Sequence, residues 1–194
     1  MPSGGPFYAA AKPAVLDRLE ASIFLRDVLP PIMLYSLKFL EIIFPPTIPG
    51  CIFLGSPAHQ NWIETISYVQ GKLNLPRLTL RIYFPNLRSF QDKMLHRKSA
   101  LTREEGMQSI VSMHESITSP LSQLGNRLSR CFVHAVWPLT WRFSTMQSNM
   151  QEVERDLVQI ERSLERRIMG NDGYDSRTTR GNEPERSQWL QRYD

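Results

Sequence analysis

The stretch from Asn61 to Phe84, NWIETISYVQGKLNLPRLTLRIYF, constrains this chain more than any other. Trp62, Ile63, Ile66, Val69 and Leu73 recur at three-and-four spacing, which places them on one side of an amphipathic helix. Gly71 stands near the end of that helix, where a residue without Cβ often sits. The run that follows changes period. Leu78, Leu80 and Ile82 alternate as one face of a strand, and Tyr83 and Phe84 extend the apolar run until Pro85 stops it. A helix, a short turn and a buried strand within so few residues predict a helix–strand unit.

The same strand pattern occurs three times. Leu37-x-x-Leu40-x-Ile42 precedes the central unit, which itself carries Leu75-x-x-Leu78-x-Leu80, and Leu128-x-x-Cys131-x-Val133 follows it. Each strand is preceded by helical periodicity: Ala14 to Val28, Asn61 to Leu73, and Thr102 to Ser119. That alternation predicts an α/β fold with a three-stranded, mainly parallel sheet and right-handed crossovers. The spacing within each strand is that of a leucine-rich repeat. The units are 38 and 53 residues apart, however, against about 20–29 for regular repeats, so they read as small, irregular repeat-like units. The first strand has no strand pattern before it and is expected at a sheet edge, an unpaired template unless something covers it.

The chain divides on composition. Residues 1–13 carry Gly and Pro and read as a disordered start. Residues 14–140 form the helix–strand domain, with a polar, basic insertion over 85–103. Residues 141–170 read as a long amphipathic helix, and 171–194 as a polar tail ending in a short aromatic docking segment. In the long helix Met146, Met150, Val153, Leu157, Ile160 and Leu164 form an a/d seam, with Gly170 as its stop. That seam either docks on its own sheet or meets a partner helix.

Charge narrows the function classes. The formal net charge of +4 over 194 residues suits a soluble protein and falls short of implying nucleic acid. The most apolar run, Val28 to Phe44, is interrupted by Pro30, Pro31, Lys38 and Glu41 and is shorter than the roughly 20 residues of a bilayer span. Cys51 and Cys131 have no metal-ligand spacing around them and read as reduced thiols. With no secretory signal, a cytoplasmic or nuclear location is expected.

Enzyme constellations are missing from the sequence. No Gly-rich phosphate loop and no Gly-x-Ser-x-Gly elbow occurs. Cys131 and His134 are neighbours, but positions three apart on a strand point to opposite faces. Glu104 and Glu105 suit the first turn of a helix. No cofactor or metal is expected. The basic segment offers Arg81, Arg88, Lys93, Arg97, Lys98 and Arg103 against Asp92 alone. It reads first as a solvated loop, then as a patch for an acidic protein (Arg88, Lys93, Arg97, Lys98 and Arg103), and last as a nucleic-acid surface.

Three stretches resemble one family. NWIETISYVQGKLNLPRLTLRIYF, SPLSQL with SRCFVHAVWP, and RRIMGNDGYDS are similar to a group of filamentous-ascomycete fungal proteins, over roughly Leu37 to Trp189. Those proteins look like the C-terminal part of degenerate F-box/leucine-rich-repeat-like proteins. The resemblance implies no activity, so no functional residue is carried over. No F-box-like segment precedes the first strand, as expected of a short paralogue or a truncated gene model. Together these readings predict a non-enzymatic protein–protein interaction module, a remnant of a repeat-type adaptor. The alternatives are nucleic-acid binding through 81–103 and an enzyme of unrecognised class. Self-association is expected through the 37–44 edge strand or the C-terminal helix.

Overall fold

The computed structural model describes residues 17–44, 54–85, 103–136, 150–177 and 183–193. The described elements are α1 (Glu20–Ile23), which runs into a π-helical turn (Phe24–Val28), α2 (Pro31–Ser36), β1 (Phe39–Ile43), α3 (Pro57–Gln70), β2 (Thr79–Phe84), α4 (Arg103–Thr118), β3 (Arg130–Ala135), α5 (Met150–Met169), α6 (Asn171–Arg177) and α7 (Glu183–Leu190). The fold is α/β. Its strands form one parallel sheet in the order β1-β2-β3, with α3 and α4 in the two crossovers. β1 lies at an edge, as the sequence pattern predicts.

Alternation decides which residues meet. Leu40, Leu80 and Cys131 stand in register, and so do Ile42, Ile82 and Val133. The repeat spacing would align Leu40 with Leu78 instead. β2 is displaced by two residues from that alignment, and a shift of two keeps every side chain on its face. This face packs against Trp62, Ile66 and Val69 of α3, Ile110 and Ile117 of α4, and Leu157, Leu164 and Ile168 of α5 in one core.

Rings close the carboxyl ends of β1 and β2. Phe44 stacks on Phe84 at 5.1 Å, Phe84 stacks on His114 at 4.0 Å, and Trp62 meets Phe44 edge-on at 6.0 Å. Trp62 is fully buried and donates its indole N–H to the Ile117 carbonyl at 2.9 Å. Burial holds the His114 imidazole down to about 3, so it is neutral in the core.

Three local expectations need correction. The helix read from Asn61 begins at Pro57, where the Ser56 hydroxyl accepts from the His59 N–H and proline occupies the first turn. Gly71 ends α3 in the right-handed region, so its missing Cβ is not what the turn requires. The helix read over 14–28 is, within the described residues, a single α-turn followed by a π-turn. It buries Leu19, Ser22 and Leu25 and leaves Ile23 and Phe24 exposed. Gly170 stops α5 at φ +76°, as read.

The segment read as a polar tail carries α6 and α7. α6 follows α5 directly, with the Tyr174 N–H donating to the Gly170 carbonyl at 2.9 Å. α7 crosses the other face of the sheet, where Trp189 is buried with Tyr83 and Phe132.

Candidate protein-interaction edge

A parallel strand turns alternate residues toward its neighbour, so each edge strand has an outward set of main-chain groups. On β3 that set is Cys131, Val133 and Ala135, because Arg130 and Val136 donate inward to the Leu78 and Phe84 carbonyls. α5 lies along this edge and fills it with side chains. The Val133 N–H donates to Glu165 Oε1 at 2.8 Å, and the Ala135 N–H donates to Glu161 Oε1 at 2.9 Å. Arg186 of α7 adds a third bond by donating to the Val133 carbonyl at 2.8 Å.

The seal is a buried charge cluster. Glu165 accepts from Arg186, from Arg162 at 3.2 Å and from the Tyr174 hydroxyl at 3.1 Å. Glu161 lies 3.6 Å from Arg186 and 3.2 Å from His134 Nδ1. Burial, with Arg162 nearby, lowers Arg186 to about 10, which leaves it charged at neutral pH and matched to the carboxylates. Buried charges persist only when paired and hydrogen-bonded, and these are.

β1 is finished differently. The Lys38 carbonyl accepts from the Thr79 N–H and the Phe44 N–H donates to the Tyr83 carbonyl, so Phe39, Glu41 and Ile43 direct their main chains outward. Among the described residues none of these groups has a main-chain partner. The side chains of Phe39 and Ile43 are 57% and 56% exposed. Ile23, Phe24, Val28, Ile32, Met33 and Tyr35 of the preceding elements are exposed too, whereas Leu54 and Val158 are the other large apolar side chains exposed among the described residues. Exposed apolar surface is therefore concentrated on the unit that contains the open edge.

Between Phe39 and Ile43 stands Glu41, held from the C-terminus. Its Oε1 accepts from the Trp189 indole at 2.6 Å and from the Tyr193 hydroxyl, while Arg192 lies 3.9 Å from Oε2. Tyr193 stacks on Tyr83 at 3.8 Å, and burial followed by the Glu41 carboxylate raises its phenol to about 12. Arg81 lies over the Phe39 and Trp189 rings at 5.1 and 5.8 Å and pairs with Glu185 at 3.8 Å. Phe39, Glu41, Arg81, Gln188, Trp189 and Arg192 line a cleft of about 560 Å³ beside the edge.

The residues singled out in the sequence are distributed as follows. Arg88, Lys93, Arg97, Lys98 and Met146 lie outside the described residues, as does Cys51. Arg103 opens α4, and Met150 and Val153 belong to α5. Leu157 and Leu164 are buried in the core and Ile160 packs against it, so this part of the seam faces its own domain and not a partner helix. Cys131 faces the core, where burial raises its thiol to about 12, and His134 faces the other side beside Glu161. His59 is also buried, with its Nε2 3.3 Å from the Ser116 carbonyl.

Sequence reasoning missed Glu41, Glu161, Glu165 and Arg186. Glu161 and Glu165 are four apart and fall on the stripe of Leu157, Leu164 and Ile168, where a carboxylate has no apolar role. That interruption is the one signal that could have marked them.

Among the described residues no helix is long and apolar enough to cross a membrane, and no group of three His, Cys, Asp or Glu side chains could hold a metal ion. The fold and the edge define a class: a small parallel α/β protein with one sheet edge capped by side chains and the other without a main-chain partner among the described residues. No family model, curated protein or solved structure matches the chain.

Proposed function

We propose that this protein is a non-enzymatic interaction module that binds a partner by adding a strand to β1. The contrast between its two sheet edges carries this reading. Two buried glutamates and an arginine bond to the outward main chain of β3, while β1 keeps three outward-facing residues, two of which, Phe39 and Ile43, have exposed apolar side chains. An exposed edge of this kind is a template for strand addition, in which main-chain hydrogen bonds give affinity and alternate side chains give specificity. The repeat-like units and the family resemblance favour an adaptor role over catalysis. The buried titratable cluster supports the same reading, since Glu161, Glu165 and Arg186 all bond to the β3 main chain.

The test pairs capture with exchange. Partners captured by the wild type should be lost with Ile43→Lys, which puts a charge on the edge without touching the core, and should survive nuclease treatment. Bound partner should slow amide exchange at Phe39, Glu41 and Ile43. Equal capture by Ile43→Lys would place the interaction elsewhere, and nuclease-sensitive capture would favour nucleic acid.

A further inference from the structure

The outward set on β1 is self-complementary. We infer that the strand added to β1 is β1 of a second copy of this chain, running antiparallel about a two-fold axis at Glu41; this rests on the open-edge reading above. Antiparallel residues that face each other with outward main chains exchange both an N–H and a C=O hydrogen bond. A two-fold at Glu41 sets Glu41 opposite Glu41, and Phe39 opposite Ile43 twice. The six outward groups of each strand are then satisfied by six hydrogen bonds across the pair, with no outward residue left over. The apolar members meet each other: each Phe39 faces an Ile43, a cross-strand pair of an aromatic with a β-branched residue.

The central pair would ordinarily forbid this arrangement, because like charges directly opposite destabilise a sheet. Here each carboxylate is already engaged by its own chain, through Trp189, Tyr193 and Arg192. Arg192 is 65% exposed at its side chain, so it supplies a positive charge to the junction from each copy.

Phe39 and Ile43 are each more than half exposed, so the side chains that would meet across the pair have apolar surface to bury. An isologous contact closes on itself, so it gives a dimer and no fibre.

Sedimentation of the purified full chain from 1 to 100 µM, read with amide exchange and cross-linking, tests this (concentrations on the order of ordinary dissociation constants). The wild type should sediment as a dimer and Ile43→Lys as a folded monomer. In a Cys51→Ser background, Phe39→Cys mixed with Ile43→Cys should form an intermolecular disulfide under diamide, and neither variant alone should. The cross-link decides if Ile43→Lys fails to fold. A dimer without the cross-link pairs through another surface and overturns the inference. A monomer with fast exchange at Phe39, Glu41 and Ile43 overturns the second copy but leaves the open edge standing. A monomer with slow exchange there means that the chain covers its own edge, and overturns both.

Discussion

Trp62 joins two parts of the core that are 73 residues apart (117 − 44), through its ring against Phe44 and its indole N–H on the Ile117 carbonyl. Truncation to alanine removes a fully buried ring and orphans that carbonyl, so Trp62→Ala should cost about 3–5 kcal/mol. Equilibrium urea unfolding measures the loss, and a midpoint within error of wild type would refute it. His114 adds a pH dependence with a definite sign. The unfolded imidazole takes a proton below about pH 6.5, whereas the buried one stays neutral until about pH 3. The unfolded state therefore binds more protons across that window, and stability is lost as pH falls through it, by up to about 1.4 kcal/mol per unit. His114→Leu should remove one proton's worth of that slope. An unchanged slope in the variant would assign the acid sensitivity to other groups.

The seal on β3 works as an element and not as a set of separate ion pairs. Removing one partner of a buried pair usually costs about 3–5 kcal/mol, and replacing both by apolar residues usually restores much of it. Glu165 and Arg186 also hold the Val133 N–H and C=O. Glu165→Leu should thus be strongly destabilising, and adding Arg186→Leu should recover less than such double replacements ordinarily do, because the strand's main chain stays unsatisfied. A double variant as stable as wild type would show that the main-chain bonds contribute little. This element also marks where the sequence stops being legible. The a/d seam predicts the buried stripe of α5 and Gly170 its end, since Leu157 and Leu164 repeat locally. It says nothing of Glu161 and Glu165, whose role depends on a strand some 30 residues earlier coming to lie beside them.

At the scale of the whole molecule, what could be read was what is local. Period-two alternation gave all three strands and their core faces, because each strand's pattern lies within six or seven residues. The second face could not be read in that way. Arg186, Trp189 and Tyr193 sit in a polar, weakly patterned segment, and their burial depends on Val133, Phe132 and Glu41 far upstream. A chain ending at residue 182 should therefore expose Tyr83 and Phe132 and release Glu41, Arg81 and the Glu161–Glu165 pair. A lower melting temperature and stronger binding of an apolar dye are expected, and an unchanged melting curve would show that α7 is dispensable to the sheet.

The bonds from Trp189 and Tyr193 to Glu41 span 148 and 152 residues of sequence. During synthesis, at about 5–20 residues per second, Glu41 leaves the ribosome roughly 7–30 s before the side chains that hold it. β2, its neighbour in the sheet, comes only some 40 residues behind. Until those side chains emerge the nascent chain carries an apolar strand with its carboxylate unclasped, at the stage when wrong pairings form most easily. Residues made some 150 positions later fasten the first strand, so their emergence, and not that of the strands, sets the moment at which the sheet acquires its final face.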